Sequence, residues 1–171
     1  MNKTVEQLVE QIPGLRRYAR ALVGDTHQAD DLVQDCLARA LSRLGLWTAG
    51  SDMRAWLFTI MHNLFVNHCR KQSNQPPLFA LHEVAEQPRK GEQSDQLLHL
   101  SDLENGLRAL SHEQREVLLL VSLEGLSYQQ VAEVLNIPIG TVMSRLHRGR
   151  NQLRAWMDGE SRDVPGLRSV K

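Results

Sequence analysis

Apolar residues recur along this chain at helical spacing, and polar residues fill the positions between them. Val5, Leu8, Val9 and Ile12 predict a short helix from Thr4 to about Ile12. Pro13 suits the first turn of a second helix, which carries Leu15, Tyr18, Ala19 and Leu22 to Gly24. Asp25 with Gln28 makes an aspartate version of the capping box. The helix it opens has Ala29, Leu32, Val33, Cys36, Leu37, Ala40, Leu41 and Leu44 inward, and Gly45 stops it. Its outward side begins Asp30, Asp31, Gln34, Asp35; from spacing alone this favours a solvated face whose acids suit the helix dipole. Leu46 to Ser51 reads as a loop, and Asp52 caps a further helix to about Lys71 with Leu57, Ile60, Met61, Leu64 and His68 on its core side. On one flank of that helix Trp56, Asn63, Asn67 and Arg70 fall within about 60° of one another. Aromatic and amide groups beside the Arg70–Lys71 pair suit base stacking and phosphate contact. Packing of Trp56, with the asparagines bonded to neighbouring helices, accounts for the flank equally well.

Between Gln72 and about Ser94 the pattern fails. Pro76, Pro77 and Pro88 among Ser, Asn, Gln and mixed charges predict a linker with no periodic core face. The fold class expected is therefore all-α: two small helical domains, residues 1–72 and 99–158, joined by a flexible linker at 73–98. Residues 159–171 are expected to form a disordered tail. Ser101 with Glu104 and Ser111 with Gln114 are further capping boxes. Leu103, Leu107, Leu110, Val117, Leu118 and Val121 supply the packing beneath the last two helices of the second domain.

Those last two helices are the most informative stretch. Ser127 with Gln130 caps a helix carrying Val131, Ala132 and Leu135, and Asn136, Ile137 and Pro138 break it. A second helix restarts around Ile139 to Thr141, with Val142, Leu146, Gly149 and Leu153 inward. Gly149 on that face lets another element come close. Outward lie Ser144, His147, Arg148 and Asn151, with Met143, Arg150 and Arg154 on one flank and Arg145 on the other. No acidic residue occurs from Val134 to Met157, while four arginines do. A basic helix behind a capped helix and a tight turn is the helix-turn-helix plan, whose second helix enters the DNA major groove. A helical hairpin whose arginines merely solvate a face is the competing reading.

Composition narrows the function further. Formal net charge is zero, with 20 Lys and Arg against 20 Asp and Glu, so the basic stretch reflects uneven distribution. No apolar run approaches the ~20 residues of a membrane span, and the amphipathic Met1–Glu10 stretch does not read as a signal peptide. Cys36 and Cys69 read as reduced core residues of a cytosolic protein. The seven histidines show no metal-ligand spacing, and no phosphate loop, nucleophile elbow or paired carboxylates occur. No cofactor, metal or catalytic residue is expected.

Taken together, the two halves resemble the extracytoplasmic-function (ECF) group of bacterial RNA polymerase sigma factors, across nearly all of residues 5–157. The family's first region shows an Ala-acid-Asp-Leu-Val-Gln-acid run, matched by Ala29, Asp30, Asp31, Leu32, Val33, Gln34 and Asp35. Its Trp-Leu…Ile…Asn…Arg helix is matched by Trp56, Leu57, Ile60, Asn63 and Arg70. Its last region is matched by Gly125, Leu126, Ser127, Tyr128, Ala132, Leu135, Pro138, Gly140, Thr141, Val142, Ser144, Arg145 and Leu146. Two positions depart from it: Met143 stands where Arg is common, and Asn67 where Asp is common.

The resemblance implies a promoter-specificity subunit and not an enzyme. It implies that Asp30, Asp31, Gln34 and Asp35 dock on the β′ clamp helices of core RNA polymerase. It implies that Trp47 to Met53 (Trp47 and Ser51 above all), with Trp56, Asn63, Asn67, Arg70 and Lys71, read the −10 element and hold a flipped base. The linker would thread the polymerase's active-site and RNA-exit channels. The second domain would bind the β flap and place Thr141, Met143, Ser144, Arg145, His147, Arg148, Arg150 and Asn151 at the −35 element. An anti-sigma protein is the expected regulator, with no intrinsic oligomer. A free-standing helix-turn-helix regulator, or a decoy that occupies polymerase without melting promoters, are the alternatives the residues leave open.

Overall fold

The computed structural model describes residues 3–74 and 95–160. Among them are seven α-helices and one 3-10 turn, with no strand: α1 Lys3–Val23, α2 Thr26–Ser42, the 3-10 turn Leu44–Leu46, α3 Met53–Ser73, α4 Asp95–Ala109, α5 His112–Ser122, α6 Tyr128–Leu135 and α7 Ile139–Met157. The fold is all-α, as expected. Contacts divide the chain between Leu97 and Leu98 into two compact units. Residues 75–94 of the expected linker and 161–171 of the expected tail lie outside the described residues.

The first unit is α1, α2 and α3 packed pairwise. The sequence predicts a break at Pro13, but α1 runs straight through it. Leu8, Leu15, Tyr18, Ala19 and Leu22 are all buried, and the stripe keeps its phase across the proline, which stands on the exposed side. Continuing the helix buries that whole stripe, which offsets the roughly 3 kcal/mol a mid-helix proline costs. Val9 and Leu41, expected inward, are exposed instead. Each sits about 100° or more from the centre of its helix's stripe, where the neighbouring helix no longer covers it. The Asp25 cap holds, its carboxylate accepting the Gln28 N–H at 2.8 Å. The helix it opens ends at Ser42, ahead of the expected Leu44, and the 3-10 turn takes over.

Helix α3 is buried on a wider face than a single stripe predicts. Leu57, Ile60 and Met61 are joined in the core by Phe58 and Phe65, because α3 packs against both α1 and α2. Phe58 meets Tyr18 edge-on at 5.0 Å. His68 is exposed, contrary to expectation: the buried stretch ends at Phe65, and His68 pairs with Gln72 at 3.0 Å. Cys36 lies in this core with its Sγ 3.5 Å from the Leu57 carbonyl oxygen, and burial pushes its thiol up to about 12. That leaves it a packing residue with no thiolate chemistry near neutral pH.

The second unit is built around α5, in which Val117, Leu118, Leu119 and Leu120 are all buried. It packs on α6 and α7. Helix α4 starts at Asp95, so Ser101 and Glu104 fall inside it and do not cap it, and Leu103 is exposed. The end of α4 is closed by Arg115, a buried arginine that sequence periodicity does not reveal. Its Nε donates to the Leu107 carbonyl at 2.7 Å, and one Nη donates to those of Arg108 and Leu110 at 3.0 and 3.1 Å. Carbonyls left over at a helix C-terminus need such donors, and a cation suits that end of the dipole.

Gly106 admits a neighbour more closely than Gly149 does. A Cβ on Gly106 would lie 2.7 Å from Leu153 Cδ1 and 2.9 Å from Trp156 Cδ1, whereas one on Gly149 would meet Gln114 at an ordinary 3.5 Å. Residue 106 is where the side chains of α7 press on α4.

Candidate nucleic-acid interface

The turn that aims α7 is set by local chemistry. Ser127 and Gln130 form the expected capping box at the head of α6, with bonds of 2.9 and 3.2 Å. Helix α6 ends within the expected break, at Asn136, the one non-glycine residue with positive φ (51°) among the described residues. The Asn136 N–H donates to the carbonyls of Ala132 and Glu133, and the Ile137 N–H to that of Ala132 at 3.0 Å. This left-handed stop reverses the chain in three residues, and asparagine tolerates the conformation better than most side chains. Pro138 then opens α7, its carbonyl accepting the N–H groups of Thr141 and Val142.

Helix α7 presents two contrasting sides. Val142, Leu146 and Gly149 are buried against the unit. Met143, Ser144, His147, Arg148, Arg150, Asn151 and Arg154 are exposed, and Thr141 and Arg145 are half-buried. Arg145 and Arg150, expected on opposite flanks, also differ in exposure, since Arg150 stands in solvent. None of the four arginines pairs with a carboxylate among the described residues. The outward polar groups are tied to one another instead. Ser144 Oγ donates to the Thr141 carbonyl at 3.1 Å, and Arg148 reaches back to the Ser144 carbonyl (3.3 Å) and Oγ (3.4 Å). Asn151 Nδ2 lies 3.0 Å from His147 Nε2. These bonds run one turn along the helix and bias the patch towards this arrangement by a few tenths of a kcal/mol per pair.

In the first unit, two surfaces lie on separate helices. On α2, Asp31, Gln34 and Asp35 are exposed, while Asp30 is half-buried and 3.8 Å from Arg20 on α1. The first turn of α2 holds no acidic residue. The dipole fades within a turn, so it does not account for acids that begin in the second.

The second surface joins the 47–51 loop to α3. Ser51 closes the loop with its N–H and its hydroxyl on the Thr48 carbonyl, at 3.0 and 2.7 Å. Asp52 Oδ1 caps α3 by accepting from Arg54 and Ala55 at 3.0 and 3.1 Å. Trp47 is half-buried, and its indole N–H is enclosed without a hydrogen-bond partner among the described residues. Trp56 is half-buried, and Asn63, Asn67, Arg70 and Lys71 are exposed. The two asparagines hold no side-chain hydrogen bond among the described residues, which removes the reading in which they tie α3 to its neighbours.

Relatives match both units. Residues 8–62 match the Sigma2 domain of PhyR, and residues 100–153 match region 4 of the sigma-70 family. The ECF RNA polymerase sigma factor EcfG of Rhodopseudomonas palustris is 35% identical over 156 residues, covering 90% of this chain and 86% of its own. The chain belongs to the ECF RNA polymerase sigma factors. SigC of Mycobacterium tuberculosis, an ECF factor, is 32% identical over 149 residues, 85% of this chain and 78% of SigC. A crystal structure of the sigma factor RpoE with the anti-sigma factor NepR from Bartonella quintana has a TM-score of 0.77 at 33% identity, covering 92% of this chain and 98% of RpoE. An ECF sigma factor binds RNA polymerase and directs it to promoters, and α6–α7 is its DNA-binding helix-turn-helix. No helix among the described residues is long and apolar enough to cross a membrane.

Proposed function

We propose that this sigma factor divides promoter recognition between its two units. The observation that carries the reading is the outward side of α7, an exposed polar and basic patch free of acid from Val134 to Met157 behind a capped helix and a left-handed turn. Basic side chains release phosphate counterions, and short hydrogen-bonding side chains reach base edges. In this reading α7 lies in the −35 major groove, with Arg148 the main base reader. Asp31, Gln34 and Asp35 face the β′ clamp helices of core polymerase, and Asp30 contributes less because Arg20 already engages it. The 47–51 loop, with Trp56, Asn63, Asn67, Arg70 and Lys71, captures the −10 strand. The second unit also meets the β flap.

The RpoE structure holds an anti-sigma factor, and this chain matches RpoE over nearly its whole length. Control by an anti-sigma protein of the same kind is therefore part of the proposal. The experiment is transcription in vitro with core polymerase on genomic fragments, with start sites mapped. Transcripts that need both core and this chain, from promoters sharing −35 and −10 sequences, support it. Sequence-specific protection of duplex DNA by the chain alone, without core-dependent transcript, would place it among free-standing regulators.

A further inference from the structure

Two large apolar side chains stand in solvent at the start of α7. Ile139 is 44% exposed and Met143 52%. They are four residues apart, so they lie about 40° from each other around the helix, one above the other. Together they form a ridge along one flank of the polar patch, with the exposed Arg150 and Arg154 continuing that flank. The polar groups beside the ridge pair within the helix: Ser144 with Arg148, His147 with Asn151.

In a helix-turn-helix the N-terminal residues of the second helix contact base edges. Of the four bases, only thymine shows a methyl group in the major groove, and apolar side chains read it. Residues four apart are about 6 Å apart along a helix, close to two base-pair steps at ~3.4 Å per step.

We infer that Ile139 and Met143 read thymine methyl groups on A·T pairs two steps apart in the −35 element, making this part of specificity apolar. The inference rests on α7 lying in the −35 groove. The ridge adjoins the base-reading patch, and it sits in a stretch without a single acidic residue. Both features suit a DNA groove.

The test uses holoenzyme assembled from core polymerase and the full chain, on a promoter whose start site has been mapped. Each −35 thymine, on either strand, is replaced in turn by deoxyuridine, which removes only the methyl. Wild-type holoenzyme should lose about four-fold in affinity at one or two positions, the ratio that ~0.8 kcal/mol per buried methyl-sized group gives. Met143→Ala should bind the thymine promoter more weakly and no longer distinguish thymine from uracil at one of those positions. Ile139→Ala should do the same at the pair two steps away, and Met143→Leu should keep the distinction.

Arg148→Ala serves as the control for the groove reading. Wild-type affinity that ignores every methyl, while Arg148→Ala still changes base preference, overturns the ridge and leaves the groove reading standing. If neither methyl removal nor Arg148→Ala matters, both fall. A −35 element without an A·T pair overturns the inference, as does a Met143→Ala variant that keeps the full thymine preference and loses only affinity for core polymerase.

Discussion

The side chains proposed to meet DNA are held differently in the two units. On α7, Ser144, His147, Arg148 and Asn151 are tied to one another by bonds one helical turn apart. On α3, Asn63 and Asn67 stand in solvent with no such bond among the described residues, beside a loop whose Trp47 indole N–H is enclosed and unpaired. A duplex groove has a fixed shape, so a reader loses least entropy when its side chains are fixed beforehand. A single strand has no fixed shape, so the groups that hold it must adjust to each base. The difference suggests one unit built to locate and another built to capture.

The strongest way to break this division is to remove the core-polymerase contact proposed for α2, on which both halves would depend. Asp31→Lys with Asp35→Lys should abolish core binding, since reversing charge against a complementary surface costs several kcal/mol. Helical content should stay intact, because both residues are exposed. A pull-down with unchanged core affinity would remove α2 from the interface.

Next in size is Arg115→Ala, which leaves the α4 carbonyls without their donor and should destabilise the second unit by about 2–4 kcal/mol. Thermal unfolding should show one transition lowered and the first unit's unchanged. A uniform shift of the whole melt would mean the units are not independent.

Gly106→Ala should cost about 1–3 kcal/mol, because the new methyl meets Leu153 and Trp156 within 3 Å. Gly149→Ala meets only ordinary contact, and with alanine's better helix propensity it should be neutral or slightly stabilising. Chemical denaturation of the two variants compares them directly. The reverse order would place the close approach at Gly149.

Smallest are the changes that separate reading from holding on α7. Arg148→Ala should cost about 1–3 kcal/mol at one −35 base pair and relax specificity there. Arg150→Ala should weaken all promoters alike and lower the salt slope by about one. Binding of holoenzyme to single-base −35 variants over a range of salt checks both. Arg148→Ala weakening all variants equally, with Arg150→Ala changing the preferred base, would exchange the two roles.

Much of the fold was legible because helical proteins write their packing as periodicity. The α2 stripe, the Ser127–Gln130 box and the buried side of α7 all come from local spacing. The features that spacing missed depend on neighbours. Pro13 reads as a helix start until Leu8 and Leu15 are seen on one buried stripe. Phe58 and Phe65 look peripheral until α3 is wrapped on two sides, and Arg115 looks like a solvated charge until the end of α4 meets it. Among the site residues, types and faces could be read from the sequence. The bonds that fix Arg148 and the lack of bonds at Asn63 and Asn67 could not, because side-chain pairing is decided by packing and rotamers.

Permanganate footprinting of holoenzyme at a mapped promoter tests the division most directly, since it reads strand opening separately from occupancy. With Arg148→Ala, fewer promoters should be occupied, but the −10 thymines on those that are bound should react fully. With Asn63→Ala, or with Trp47–Ser51 replaced by Gly-Ser, occupancy should be near normal and reactivity weak, because extruding a base costs a few kcal/mol that only a formed pocket returns. Full −10 reactivity from the loop-replaced protein, or an opening defect in Arg148→Ala at equal occupancy, would contradict the division.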